Sequence, residues 1–174
     1  MPGQHGANMQ RSSEYGKLLR NKQVLKRTYG LSEKQFVRIV KEIAAQYSKN
    51  NQVTHDVALF QFLERRMDSV IYRSGFAKTM MQARQMVTHG HFQLNGVKHN
   101  IPSTFIKPGD KITLKQGLTN SPLYAQSLDS KVKVPSWVKI DRNGYGIELV
   151  SMPQMGEIAV NADVLKVIEF YARA

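Results

Sequence analysis

Apolar residues in this chain fall into short stripes at helical spacing, separated by polar breaks. Residues 13–28 carry Leu18, Leu19, Val24 and Leu25 along one side of a predicted helix that Gly30 ends. A second helix starts after Ser32, where Ser32 and Gln35 form a capping box and Leu31 can staple onto Phe36. Its stripe is Phe36, Ile39, Val40, Ile43 and Tyr47. Residues 48–54 are polar and contain Asn50 and Asn51, so they are expected to form a linker. Asp56 is the expected N-cap of the central helix. The stripe of that helix, Leu59, Phe62, Leu63, Met67 and Val70, is read as one continuous element. Ser74-Gly75 breaks it, with Gly75 suited to a left-handed terminal position. Thr79 and Gln82 form a second capping box, Ala83, Met86 and Val87 face inward, and Gly90 stops that helix.

The period then shortens to two. His91 to Leu94 reads as a strand, Asn95-Gly96 as a two-residue hairpin turn, and Val97 to Asn100 as the returning strand. Phe105-Ile106 and Lys111 to Lys115 are expected short strands around the Pro108-Gly109 turn. Ile112 and Leu114 alternate with Lys111, Thr113 and Lys115, the pattern of a half-buried strand with a basic outer face. A short helix is expected around residues 124–128. Residues 134–140 and 146–150 bracket Asp141-Arg142-Asn143-Gly144 as a second hairpin. Asn161 is the expected cap of a last helix with Val164, Leu165, Ile168 and Tyr171 on its apolar side. The predicted class is α+β, without an internal repeat. Residues 1–12, with Pro2, Gly3, Gly6, Asn8 and Ser12, have no apolar period and read as an extended arm offering donors from Gln4, His5, Asn8 and Arg11.

Composition narrows the function. No window approaches the roughly 18 to 20 apolar residues of a membrane helix, and the polar N-terminus has no signal-peptide apolar core. A cytoplasmic or organelle-interior location is therefore expected, with no membrane partner. The absence of cysteine excludes disulfides and thiolate metal sites. The net charge of +12 is polarised. Residues 1–50 hold 10 Lys/Arg against 3 Asp/Glu, residues 51–116 hold 9 against 4, and residues 117–174 hold 6 against 6. A polyanion docking on the first two thirds would release condensed counterions, making its affinity salt-dependent.

The candidate chemistry is binding. There is no glycine-rich phosphate loop and no Gly-x-Ser-x-Gly elbow, so no catalytic residue is assigned. His89 and His91 fall short of the three or four ligands a stable metal site needs; no metal or cofactor is expected. Arg65, Arg66, Arg73 and Arg84 lie beside the apolar stripes of two helices and are expected on their outward faces. There their planar forks can grip phosphates at fixed, non-collinear places on folded RNA. Lys78, Lys98 and Lys115 add less directional attraction.

The runs R-M-D-x-V-I-Y-R-x-G-F-A from Arg66, A-R-Q-M-V-x-H-G-H from Ala83, then L-N-G and I-P-S, resemble the RNA-binding helix-turn-helix-plus-hairpin module of the small-subunit ribosomal protein four family. Pro2-Gly3-Gln4-His5-Gly6, Ser13-Glu14-Tyr15-Gly16 and Leu31-Ser32-Glu33-Lys34-Gln35-Phe36 resemble its N-terminal region. Val134-Pro135-Ser136-Trp137 and Ile168-Glu169-Phe170-Tyr171 resemble its C-terminal region, so the resemblance covers nearly the whole chain. It implies a helical domain built from both chain ends (1–54 and 156–174) around an inserted RNA-binding domain (55–155) with a small antiparallel sheet. It implies small-subunit rRNA as partner through Gln4, His5, Arg11, Tyr15, Lys17, Arg20, Lys26, Arg27, Arg65, Arg66, Arg73, Lys78, Arg84, His89, His91 and Lys98. Neighbouring small-subunit proteins are further implied partners, as is messenger RNA near the entry channel. Many family members carry a cysteine-bearing N-terminal segment able to hold zinc; this chain begins at the Pro-Gly-Gln-His-Gly position, and no zinc role carries over. The implied function is organising a multi-helix junction in the five-prime domain of the rRNA, with effects on assembly and decoding accuracy. Two rivals share only the central module: a free-standing RNA-binding factor and an RNA-modifying enzyme. Arg66-Met67-Asp68 also resembles the Arg-Leu-Asp stretch of pseudouridine synthases. Asp68 inside a helix is expected instead to pair with a neighbouring Arg, worth ~0.3–0.5 kcal/mol on an exposed surface.

Overall fold

The computed structural model describes residues 13–47, 53–124, 133–141, 145–158, 160 and 162–172. Gln4, His5, Arg11 and Asn161 lie outside this set, as does most of the short helix expected over 124–128. The N-terminal elements follow their local signals. α1 (Glu14–Thr28) begins where the Ser13 hydroxyl accepts from the Gly16 amide at 3.1 Å. It ends at Tyr29, and Gly30 turns the chain with φ +59°. α2 (Glu33–Tyr47) is opened by a reciprocal box. The Gln35 amide donates to Ser32 Oγ at 3.3 Å and the Ser32 amide to Gln35 Oε1 at 3.1 Å.

The central helix is not continuous. α3 (His55–Glu64) stops and α4 (Met67–Arg73) starts after Arg66, which is extended at φ −63°, ψ 142°. The cause is a strap far along the chain. Arg66 bridges Phe105, the Met67 and Asp68 amides donate to the carbonyls of Thr104 and Pro102, and the Ile106 amide donates to the Arg65 carbonyl at 2.8 Å. These bonds take donors that an unbroken helix would use internally. Phe105 thus makes a single bridge rather than the expected strand. The N-cap position of α3 is Thr54, and Asp56 lies in the first turn.

α5 (Met80–Thr88) is capped by Thr79 Oγ1, which accepts from the Gln82 amide at 3.1 Å; Gln82 Oε1 reaches back to the Lys78 amide at 2.7 Å. β1 (Phe92–Leu94) and β2 (Val97–His99) form the expected hairpin, with Asn95 and Gly96 both at positive φ, 51° and 82°. β3 (Lys111–Leu114), β4 (Val138–Asp141) and β5 (Gly146–Leu149) complete an antiparallel sheet of order β2-β1-β3-β5-β4. α6 (Val164–Ala172) is capped by Asp163, whose Oδ1 accepts from the Leu165 and Lys166 amides at 3.1 and 3.4 Å.

Two apolar clusters result. Leu25, Tyr29, Phe36, Ile43, Leu59, Phe62, Leu63, Val164 and Val167 join α1, α2, α3 and α6. Met67, Val70, Phe76, Val87, Phe92, Ile112, Trp137 and Ile147 join α4, α5 and the sheet. Each fully buried large side chain contributes roughly 1.5–3 kcal/mol of hydrophobic free energy. α3 serves both clusters: Phe60 meets Trp137 edge-on at 6.1 Å, while Leu59, Phe62 and Leu63 turn to the other side. α6 packs on α1 and α3, and the Asp163 amide donates to Asn21 Oδ1 at 2.9 Å. Among the described residues no helix is long and apolar enough to cross a membrane.

Candidate nucleic-acid interface

The structure sorts the basic residues by what already holds them. On α1, Arg20 and Arg27 are exposed, as is Tyr15 although its ring lies 5.7 Å from that of Phe170. Lys17 is exposed and pairs with Glu14 at 2.6 Å. Lys26 is half-buried and reaches Glu33 at 2.9 Å. Lys34, Arg38 and Lys41 line the outer side of α2. On the helix-and-hairpin module, Lys78, His89 and Lys98 are exposed, as are Lys107, Lys111 and Lys115. The exposed cations therefore come from both ends of the basic two thirds of the chain.

The arginines expected on outward faces lie elsewhere. Arg66 is 3% exposed. Its Nε and Nη2 donate to the two Asp68 oxygens at 3.0 and 2.7 Å, and Asp68 also accepts from the Ser69 amide. The pair is thus buried, not the exposed helical pair anticipated. Breaking the helix at Arg66 turns the guanidinium inward, and the carboxylate beneath it balances the charge. Arg73 donates Nε and Nη2 to Glu64, which is fully buried; the closest contact is 2.7 Å. Arg65 is half-buried, with Nε donating to the Ile106 carbonyl at 3.0 Å. Arg84 leaves its own helix and donates Nη1 to the Gly30 carbonyl in the α1–α2 turn at 3.1 Å.

Glu64 is the residue that sequence patterning missed. It sits in the apolar run of α3 and also accepts from the Tyr29 hydroxyl at 2.5 Å. Burial, then the adjacent carboxylate, pushes the Tyr29 phenol well above its usual range, so it stays a donor. Its Glu64 bonds keep the Arg73 guanidinium charged against the opposing effect of burial. A carboxylate amid Phe62, Leu63 and Arg65 was the available signal; its partners, nine and thirty-five residues away, were not readable. Glu33 plays a similar part nearer the surface. Hydrogen bonds from Lys22 and Lys26 draw its carboxyl from 4.5 to about 2. Lys22 is itself buried, with its ammonium 4.8 Å from the centre of the Phe170 ring.

His89 and His91 lie at the end of α5, ring centres 5.9 Å apart. His91 Nδ1 is 2.6 Å from the Tyr124 hydroxyl. Burial, then the charges of His89 and Lys115 nearby, lowers the His91 pKa, so the ring is neutral near pH 7. Burial pushes Tyr124 up to about 12, which keeps its proton on. Gly90, at φ +67°, lies so close to Lys98 that an added Cβ would stand 2.8 Å from Lys98 Cε. Among the described residues, no three His, Asp or Glu side chains converge as a metal ion requires.

A broken helix pair and hairpin with exposed cations, joined to a basic helical unit, is the arrangement of an S4-domain protein. Residues 65–112 match the S4 domain and residues 1–64 match the ribosomal protein S4/S9 N-terminal domain. The chain is 42% identical over 177 residues to the small ribosomal subunit protein uS4 of Persephonella marina, covering 98% of this chain and 84% of that protein. It is 40% identical over 172 residues to that of Rubrobacter xylanophilus, covering 99% and 84%. With the protein of the same name from Thermotoga petrophila it shares 39% identity over 175 residues, covering 99% and 81%. The chain belongs to the uS4 family of small ribosomal subunit proteins.

Proposed function

We propose that this chain is a structural, non-enzymatic protein of the small ribosomal subunit that binds small-subunit rRNA. The observation that carries this reading is identity of about 40% along 98–99% of the chain to relatives that all bear the name of one small-subunit protein. The exposed cations supply the chemistry. RNA helices hide their base edges in a deep groove, so a protein surface reads phosphates and shape. Arg20, Arg27, Arg38, Lys78, His89, Lys98 and Lys115 spread over two packed units provide such a surface. Gln4, His5 and Arg11 of the arm, with Tyr15 and Lys17, belong to the same proposal.

The proposal extends to the partner's architecture. Charges on two units can hold RNA segments that are not collinear, which suits a multi-helix junction of the five-prime domain and an assembly role. Contact with neighbouring small-subunit proteins, proximity to messenger RNA at the entry channel and an influence on decoding accuracy belong to it too. So does the division into 1–54 with 156–174 and an inserted 55–155, supported by the packing of α6 on α1. The test is sedimentation of cell extract through a high-salt cushion. The chain is expected at one copy per small subunit after washing; sub-stoichiometric recovery, or release by the wash, contradicts the proposal.

A further inference from the structure

Two contacts tie adjacent residues of the α1–α2 turn to the helix-and-hairpin module. One is the Tyr29 hydroxyl, bound to Glu64 at 2.5 Å, with Arg73 of α4 bracketing the same carboxylate. The other is Arg84 Nη1, bound to the Gly30 carbonyl at 3.1 Å. Tyr29 is 2% exposed and Glu64 fully buried, so the first arm is shielded from water and salt. Gly30 has φ +59°, a conformation side chains rarely adopt, and Met81 Sδ of α5 lies within ordinary contact distance of it, so the turn seats against α5. Beyond this joint, the exposed cations of α1 and α2 lie on one side and those of α5 and the hairpin on the other.

We infer that Tyr29, Glu64, Arg73 and Arg84 are positioning residues: they lock the α1–α2 turn to the RNA-binding module, so that two cationic faces meet RNA as one preformed surface. The inference rests on the RNA-binding reading and goes beyond it. It removes two arginines from the expected set of phosphate ligands and gives them a different task. A guanidinium engaged with a buried carboxylate or a backbone carbonyl has fewer donors left for phosphate. Rigidity at the joint contributes to affinity by sparing the ordering cost of two independently moving faces.

Salt dependence separates a ligand from a positioner. Removing a phosphate contact lowers the slope of log affinity against log salt by about 0.7–0.9. Loosening a joint lowers affinity while leaving the number of contacts, and so the slope, unchanged. The assay uses the full chain and a small-subunit rRNA transcript, with the variants Tyr29→Phe, Arg84→Ala and Arg27→Ala. Tyr29→Phe deletes one oxygen and leaves Glu64 bound to Arg73, so folding is preserved. Tyr29→Phe and Arg84→Ala are each expected to weaken binding roughly tenfold at parental slope, a 1.4 kcal/mol equivalent. Arg27→Ala is expected to lower the slope.

A second readout asks about the joint directly. The chain has no cysteine. Lys41→Cys and Lys107→Cys therefore place one spin label on each unit. The distance distribution between them is expected to broaden in Tyr29→Phe and Arg84→Ala, and to stay parental in Arg27→Ala. A lowered slope for Arg84→Ala, or parental affinity and distance width for Tyr29→Phe, overturns the inference and leaves RNA binding standing. A parent chain indifferent to the transcript overturns the RNA-binding reading itself.

Discussion

Asp68→Asn is the substitution whose cost the structure defines best. Asp68 is 1% exposed and Arg66 is 3% exposed. The carboxylate accepts both Arg66 donors, at 3.0 and 2.7 Å, and the Ser69 amide at 3.0 Å. Asparagine keeps the size but loses the charge and turns one acceptor into a donor facing a guanidinium. The arginine is then a buried cation with no counter-charge in its bidentate site. Breaking a buried pair from one side costs about 3–5 kcal/mol, against the roughly 0.3–0.5 kcal/mol of an exposed helical pair. For a chain of this size that lowers Tm by roughly 6–20 °C, at about 2–4 °C per kcal/mol. The assay is urea unfolding followed by the fluorescence of Trp137, which lies in the same core as Met67 and Val70. The control is the double replacement Arg66→Met with Asp68→Leu, expected to recover most of the loss because it removes the stranded charge. A midpoint shift for Asp68→Asn equivalent to under about 0.5 kcal/mol, the range of an exposed site, refutes the argument from burial.

Further outcomes follow from other contacts. Glu33 has a folded pKa of about 2 against 4.5. It therefore adds stability that is complete above pH 4.5 and fades as pH falls toward 2. Because its side chain is 44% exposed, screening limits this to ~1 kcal/mol. Glu33→Gln should flatten the acid limb of stability between those values; an unchanged limb counts against the Lys22 and Lys26 contacts. The His91 pKa is lowered on folding, so protonation favours the unfolded chain and stability falls as pH drops below about 6.5. In a proton NMR titration His91 is expected to titrate below its ordinary value, and a normal or raised midpoint contradicts its neutral state beside Tyr124. Gly90→Ala meets Lys98 Cε at 2.8 Å and forces a side chain to φ +67°. It should destabilise by ~1–2 kcal/mol, measured by thermal melting, and a neutral result contradicts the left-handed conformation at this position.

What the chain disclosed in advance was local. The Ser32–Gln35 box, the Thr79 cap and the Asn95-Gly96 turn depend on residues at most three apart, and pattern reading recovered each one. The class and family were legible for a different reason, the density of matching residues around Arg66 to His91. What was hidden came from distance along the chain. An uninterrupted apolar stripe concealed the break at Arg66, because the strap that makes it lies at residues 101–106. The same distance hid the tasks of Arg73 and Arg84, whose partners lie nine and fifty-four residues away. Outward placement by helical period assumes that a charged side chain goes to water. A buried carboxylate or a carbonyl from another element reverses that assumption.

The docking of α6 on α1 has a consequence for the order of synthesis. Asn21 and Asp163, bonded between α1 and the start of α6, are 142 residues apart, and Lys22 waits for the Phe170 ring. α1 is therefore completed only after a segment 142 residues further along the chain has left the exit tunnel. The hairpin between them needs only short-range contacts and can close much earlier. Until α6 emerges, the nascent chain thus exposes the apolar side of α1, and the arrival of α6 seals it.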